Sequence, residues 1–587
     1  MIGVVAATAA GRAAAEALEA AWPDEVRSYT DLKPSDAVRE AWRACDGIVS
    51  FLAVGATVRL LAPLLEHKST DPAVVCVDEA RRFAVAVLGG HRGANRLAER
   101  LAEVLGCAPV VTTASDGAGA AALDSYGADL GFTVHDPAAL APVGAAVLSG
   151  EPVALEGADG WPLPALPPNV RALPSSPEAA ADADGRFTAG ILVTDAADPT
   201  CACHRGGWPG GRVVYRPPSL VVGVGSARGV GAAEVGELID TALADAGLAP
   251  ASVRCVATVD LKADEEGILE AAEERGWEVV TFPAEALAEE DVPNPSETVR
   301  AAVGTPSVAE AAALRAARAF GRGARLAAPK RRSAAATAAV ARLLPKGRLS
   351  IVGLGPGARD LLTPRAHEAL RRSSVVVGLD QYIDRIRDLL RPGTTIIASG
   401  LGREEERART AVAEAAAGRA VALVGSGDAG VYAMAGPALE FAGDDIEVEG
   451  VPGITAALAA SALLGAPLGH DHAYISLSDL HTPWEVIERR VRAAAEGDLA
   501  VCLYNPRSRT RDRQLPAALA ILAGHRPPDT PVGLVRNASR PDESVTLTTL
   551  AEVDPQEVDM LTVVLVGSSR SRVVAGRFVT PRGYRWA

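Results

Sequence analysis

Short apolar runs recur along the whole chain. They read GIVSFLA, AVVCVDE, FAVAVLGG, PVVTTAS, LVVGVGS, RCVATVD, SIVGLGP, VALVGSG, AVCLYNP and LTVVLVG. Each is rich in Val, Ile or Leu and ends near Gly, Pro, Asp or Ser. Between them lie Ala/Leu/Arg stretches with helical periodicity. Strands alternating with helices predict α/β units with largely parallel sheets, so the fold class is multidomain α/β. The opening MIGVVAATAAGRAAAEALEAAW predicts a first strand, a turn and an Ala-rich helix. It has no basic leading region, which argues against a signal peptide.

The pattern breaks in three places. Residues 136–218 are rich in Pro, Gly and Asp, as in GWPLPALPPNV, and predict a small irregular domain. LLPKGRLS, between an Ala-rich segment read as helix and a new strand, predicts a linker. APLGHD, near Pro467, divides the last part in two. The expected organisation is therefore 1–135, 136–218, 219–342, a linker over 343–349, and 350–587 split near 467. The 587 residues allow this count, at roughly 100–200 residues per domain.

Charge and cysteine content narrow the function classes. Net charge is −15, whereas nucleic-acid binding leans on Lys and Arg neutralising phosphates. Seven scattered cysteines make no disulfide framework and predict a reducing, cytoplasmic setting. Cys201, Cys203 and His204 cluster in TCACHRGG, but a metal site needs three or four ligands and no partner pair is near; no metal is expected. No apolar run reaches the ~18–20 residues that span a bilayer, so no membrane partner is expected.

The glycine loops carry the chemistry. In GLGPGARDLLTPRA the glycines are Gly353, Gly355 and Gly357. A dinucleotide fingerprint runs G-x-G-x-x-G straight into a helix. Here ARDLL intervenes, Thr363 is the predicted N-cap and Pro364 the first helical residue. The helix starts too late for its amides to reach a phosphate at the glycines, which disfavours a nicotinamide-dependent oxidoreductase. VALVGSGDAGVYAMAG places Asp428 where a phosphate loop would want bare amides. An acid there suits a cationic or hydroxyl-bearing ligand. Taken singly, each loop also reads as a tight turn in an α/β sheet.

Together and in order, GLGPGARDLLT, SGDAGVYAMAG, VPGITAA and LYNPRS resemble the tetrapyrrole methylases that use S-adenosylmethionine. HDHAYISLSDLHTPWEVIERR and VGLVRNASRPDESVTLTTL resemble the precorrin-3B C17-methyltransferases within that family. Ala429 departs from the proline usual in that loop. The resemblance implies two α/β domains with S-adenosyl-L-methionine in the cleft between them. It implies cofactor contacts from Gly355, Pro356, Gly427, Asp428, Val431, Thr455, Ala456, Tyr504 and Ala538, a substrate rich in carboxylates, and a homodimer. Methyl transfer needs positioning more than acid–base help. The accompanying ring contraction needs a proton shuttle, for which His470, His472 and Asp479 are candidates, with solvated loop residues as the alternative. In YNPRSRTRDRQ, Arg507 is the predicted contact to a substrate carboxylate, because Arg grips carboxylates in a bidentate way.

The first half also carries a resemblance. The stretch from GATVRLL to VVTTASD, with VGVGSARGV, VATVDLKADEEGILEAAEERGW and VPNPSETVRAAVGTPSVAEAAAL, resembles the cobalt-precorrin-5A hydrolases. This implies opening of a lactone and release of acetaldehyde, hence a bifunctional enzyme of cobalamin biosynthesis, with other enzymes of that route as candidate partners. The alternative is a methyltransferase whose N-terminal half only binds or channels tetrapyrrole. His91, in a glycine loop before a helix, is the candidate base or substrate contact, or else a structural tie. Lys262 is a candidate grip on a carboxylate, against a capped helix start. Ser296 reads as an N-cap and not a nucleophile. Whether the substrate carries cobalt is not encoded in any ligand set.

Overall fold

The computed structural model describes residues 1–66, 70–111, 119–173, 187–199 and 208–584, without the side chain of residue 91. The Cys201–Cys203–His204 cluster lies outside the described residues. Two compact units form. One comprises residues 1–347 with 390–395 and 417–419; the other comprises the remainder. Among the described residues no helix is long and apolar enough to cross a membrane.

The first unit holds three sheets. The first contains β1 (Ile2–Ala6), β2 (Val26–Ser28), β3 (Gly47–Phe51), β4 (Ala73–Val77), β5 (Phe83–Leu88) and β6 (Ala108–Val110), in the order β2-β1-β3-β4-β5-β6. Of its five neighbouring pairs only β4–β5 is antiparallel. The predicted opening stands: β1 turns at Thr8, whose hydroxyl caps the helix Ala9–Ala21.

The second sheet corrects the expectation of an irregular middle. β7 (Thr133–Val134), β8 (Val153–Glu156), β9 (Val170–Ala172), β10 (Ala189–Val193) and β11 (Arg212–Arg216) assemble in the order β7-β11-β10-β8-β9. Val153, Ile191, Val213 and Tyr215 are fully buried in its core with Val143. The Pro- and Gly-rich text lies in the connections. Short strands between long loops leave little periodicity to read.

The third sheet contains β12 (Leu220–Ser226), β13 (Val253–Val259), β14 (Glu278–Phe282), β15 (Gly323–Arg332) and β16 (Ala336–Leu344), in the order β14-β13-β12-β16-β15. The Ala-rich segment read as helix is β16, hydrogen-bonded between β12 and β15. Its residues alternate between two cores. Ala336, Ala338 and Val340 join the core of the helix Ala232–Asp245, while Ala341 and Leu343 join that of the helix Val308–Phe320. The latter helix lies so close that a Cβ on Gly223 would sit 1.9 Å from the Ala309 carbonyl oxygen. Small side chains are needed here on a strand, and tertiary packing overrides alanine's helix propensity. The expected linker shrinks to Pro345 and Lys346, between β16 and β17 (Gly347–Gly353).

The second unit has two principal sheets. In the first, β17, β18 (Val375–Leu379), β19 (Thr395–Ser399), β20 (Ala420–Gly425) and β21 (Ile446–Val451) run in the order β19-β18-β20-β17-β21. After β22 (Gly465–Ala466), the second contains β23 (His472–Ser476), β24 (Ala500–Tyr504), β25 (Pro531–Arg536), β26 (Ser544–Thr549) and β27 (Thr562–Val566), in the order β23-β24-β27-β25-β26. β23 is parallel to β24, and both β24 and β25 are antiparallel to β27. The carboxyl ends of β23, β24 and β25 therefore share one edge.

Candidate functional site

The glycine loops follow neighbouring strands β20, β17 and β21 and meet backbone to backbone. Gly355 and Gly427 exchange both amide hydrogen bonds, at 3.0 and 2.8 Å. Both hold positive φ, +73° and +69°. A Cβ on Gly453 would lie 2.1 Å from the Gly427 carbonyl oxygen and 2.7 Å from Gly353. Only glycine permits this three-way approach. Asp428 ties the junction together: Oδ1 accepts from the Gly430 amide at 2.8 Å and Oδ2 from the Gly453 amide at 3.0 Å. Its carboxylate holds the loops, which explains an acid at that position without a ligand. The predicted cap is present, with Thr363 Oγ1 accepting from Ala366 N at 3.1 Å and Pro364 opening the helix.

The second sheet contributes the facing edge. Tyr504, at the end of β24, reaches Thr455 Oγ1 at 2.6 Å and accepts from the Ala457 amide at 2.9 Å. Thr455 sits at the N-cap of the helix Ala456–Leu464, but its hydroxyl makes no capping bond of its own. The tyrosine hydroxyl caps that helix instead. Burial pushes the Tyr504 phenol up to about 12. Tyr432 and Tyr474 pack on it, with ring centroids 5.4 and 5.9 Å away. Tyr432 has φ +52° and donates to the Tyr474 carbonyl at 2.7 Å. Ala538 is buried and packs with Ala456 and Tyr504. The turn after β25 sends Arg540 back to the glycine loops. Its Nε donates to the Pro356 carbonyl at 2.9 Å and one Nη to Ser426 Oγ at 3.2 Å.

The structure thus gathers Gly355, Pro356, Gly427, Asp428, Thr455, Ala456, Tyr504 and Ala538 at one place. Val431 follows on the Asp428 loop, its amide bonded to the Asp428 carbonyl. Arg540, Tyr432 and Tyr474 belong to the same assembly and were not singled out in the sequence. VRNASRPDES and GDAGVY contain the first two, and neither position has a periodicity that marks it. The walls combine backbone, small apolar side chains and tyrosines. Aromatic faces attract a cation, so this surface could hold a sulfonium cofactor.

Other predicted residues fall elsewhere. His472 pairs with Ala500 and Ser476 with Tyr504, so His470 and His472 lie at the opposite end of β23 from Tyr504. His470 Nδ1 takes the Asp471 amide at 2.6 Å, and His472 Nδ1 lies 2.9 Å from the His470 carbonyl. They form a local turn. Asp479 lies beyond the other end of β23 and accepts from Gln514 Nε2 at 2.7 Å. The Arg507 guanidinium donates to the Pro555 and Gln556 carbonyls, both at 3.2 Å, and to Gln556 Oε1 at 2.7 Å. These bonds commit it to the 555–556 turn.

In the first unit, Lys262 is 13% exposed and pairs with the buried Glu265 at 2.8 Å. Glu265 also accepts the Gly229 amide at 2.6 Å. This joins the loop after β12 to the loop after β13, and it leaves Lys262 neutralised. His91 occupies a turn, Gly90–Arg92, flanked by Gly89 and Gly93 at φ +74° and +96°. Ser296 Oγ caps the helix Glu297–Val303, as expected of it. Among the described residues no group of three or more His, Cys, Asp or Glu is placed to hold a metal.

Both parts of the chain resemble known proteins. Residues 348–554 match the family model of Tetrapyrrole (Corrin/Porphyrin) Methylases. Residues 36–116 and 220–341 match the Cobalamin synthesis G N-terminal and C-terminus models. A probable cobalt-factor III C(17)-methyltransferase of Salmonella typhimurium is 46% identical over 239 residues, 40% of this chain and 99% of the relative. The cobalamin biosynthesis protein CbiHC of Archaeoglobus fulgidus is 42% identical over 246 residues, 41% of this chain and 54% of the relative. The crystal structure of the methyltransferase CobJ is 41% identical, covering 40% of this chain and all of that one, with a TM-score of 0.39. Almost the whole length of a clear relative is thus matched by the part of the chain that builds the glycine-loop junction, and the chain belongs to the tetrapyrrole (corrin/porphyrin) methylases, with cobalamin synthesis G segments in its N-terminal part.

Proposed function

We propose that the second unit methylates carbon 17 of a carboxylate-rich tetrapyrrole, precorrin-3B or its cobalt form, with ring contraction, in cobalamin biosynthesis. The cofactor is S-adenosyl-L-methionine. The observation that carries this reading is the glycine-loop junction beside Tyr504, Thr455 and Ala538, in a chain of this family. When bound, the cofactor supplies an electrophilic methyl on a sulfonium sulfur. The chain's part is to hold and orient. Gly355, Pro356, Gly427 and Val431 form one wall, and Thr455, Ala456, Tyr504 and Ala538 the other. Asp428 and Arg540 keep the loops in register. The tyrosines remain neutral far above physiological pH and offer apolar faces. No base within the cleft is required for displacement at a methyl carbon.

The first unit, in this proposal, opens the lactone of a cobalt-precorrin-5A-type substrate and releases acetaldehyde. Its cobalamin synthesis G segments support this. Cytoplasmic residence and a homodimer through the methylase part accompany the proposal. The test is anaerobic incubation with S-adenosylmethionine and the tetrapyrrole, with and without cobalt, read by product mass. A gain of one methyl group supports the reading; no gain on either form sinks it. Separately, acetaldehyde release by the wild-type chain, lost in His91→Ala, supports hydrolysis. No release in the wild type supports a first unit that only binds tetrapyrrole.

A further inference from the structure

A cavity of about 190 Å³ opens beside the first glycine loop. It is lined by Gly355, Gly357, Arg359, Tyr382, Arg385 and Ser426, among others, with no carboxylate among the lining residues. Its cations differ in what they are free to do. Arg359 is committed: its guanidinium donates to the Arg385 carbonyl at 2.9 Å and to Asp388 at 2.8 and 3.1 Å. Arg359 therefore braces the turn that carries Arg385 and is itself neutralised. The Arg385 guanidinium makes no ion pair or side-chain hydrogen bond among the described residues. The Tyr382 hydroxyl likewise has no partner there.

The inner end is charged as well. Arg540 backs the cavity through two of its lining residues. A Cβ on Gly357 would lie 2.6 Å from Arg540 Cγ, and Ser426 Oγ accepts from the same guanidinium. Burial and then the like charge of Arg385 hold Arg540 below the usual arginine range. Arg385 thus lines the space and Arg540 lies behind two of its lining residues, neither with a counter-ion among the described residues. Ser426, having accepted a hydrogen bond, has its own proton to donate. Like charges converging on a cavity that lacks an acid are relieved by an anion, and a planar guanidinium beside hydroxyl donors matches a carboxylate.

We propose that Arg385, Tyr382 and Ser426, backed by Arg540, form a subsite for one peripheral carboxylate of the tetrapyrrole, with Arg385 its specificity-determining contact. This rests on the function proposed above. The cavity adjoins Gly355, so a macrocycle carboxylate seated here would hold the ring against the cofactor loops. The cofactor's own amino-acid carboxylate shares this chemistry, and the test separates the two.

The full chain and its Arg385→Ala, Arg385→Lys and Tyr382→Phe variants are titrated with cobalt-factor III by absorbance and with S-adenosylhomocysteine by calorimetry. KM for the tetrapyrrole is measured in parallel. The expected result is at least tenfold weaker tetrapyrrole binding and a matching rise in KM for Arg385→Ala. Arg385→Lys recovers part of the loss, and Tyr382→Phe loses a smaller factor. S-adenosylhomocysteine binding stays within twofold throughout. Unchanged tetrapyrrole affinity in Arg385→Ala overturns the subsite. Weakened S-adenosylhomocysteine binding overturns it too, and assigns the cavity to the cofactor. A wild type that binds the tetrapyrrole without methylating it defeats the methyl-transfer reading and leaves the subsite standing. A wild type that does not bind it at all defeats both.

Discussion

Arg540 Nε donates to the carbonyl of Pro356 across 184 residues of sequence, at 2.9 Å. With its second bond to Ser426, it clamps two glycine loops from the opposite sheet. Arg540→Ala removes both bonds and leaves the Pro356 carbonyl without this donor. Losing a charge-assisted hydrogen bond costs about 1.5–3 kcal/mol, so S-adenosylhomocysteine affinity should fall roughly ten- to hundredfold by calorimetry. Affinity within twofold of wild type would show that the loops hold their register unaided.

Tyr504→Phe should separate capping from packing. The ring stays, but the Ala457 amide loses its acceptor, for a destabilisation of about 1–3 kcal/mol. The pH dependence has a definite sign. Burial raises the phenol from 10 to about 12 in the folded chain. Between those values the folded state retains a proton that the unfolded state has released. The stabilisation is therefore complete below pH 10 and is lost as pH rises toward 12. Urea unfolding of the second unit at pH 8 and pH 11 should show a smaller gap between wild type and variant at the higher pH. A constant gap would refute the assigned burial.

Gly453→Ala should be more damaging than its size suggests. The added methyl would overlap the Gly427 carbonyl at 2.1 Å, where both neighbours are backbone. The loops must part, and S-adenosylhomocysteine binding is expected to fall below detection while circular dichroism stays close to wild type. Gly436→Ala, with nothing within 4 Å of the new Cβ, is the control and should bind normally.

Glu310 anchors the first unit. It is 0% exposed and accepts the Asn294 amide at 3.2 Å, Asn294 Nδ2 at 2.8 Å and the Lys330 amide at 3.0 Å. Lys330 Nζ closes the circle on the Asn294 carbonyl. Glu310→Ala strands three donors, at about 1–3 kcal/mol each. Hydrogen exchange at the Lys330 amide should accelerate at least a hundredfold, with Glu310→Gln intermediate. Unchanged exchange would mean that the protection there does not come from the carboxylate.

The strands were legible because apolar β-branched runs bounded by turn residues admit few other readings. All ten runs quoted from the sequence contain or overlap a strand, and Thr363 and Ser296 cap helices as their spacing predicts. β16 misled because alanine reports helix propensity when read alone. In the molecule it reports how closely two helices approach a sheet. The middle domain misled because its short strands are diluted by proline-rich connections. Arg507 and Lys262 read as anion contacts by residue type; in the fold Arg507 donates to the neutral 555–556 turn and Lys262 pairs with Glu265.

Read alone, the chain yields what is local or motif-borne: the α/β class, the helix caps, the family and the glycine loops. Which charges find partners emerges only in the assembled fold. Asp428, Arg359 and Arg540 are bound to loops, whereas Arg385 has no counter-ion among the described residues, a difference set by partners 2 to 184 residues away. The physical reason is that charge compensation acts through space over a few ångströms. Sequence spacing carries that information only within a turn or a helix, so distant pairs appear once the sheets have assembled.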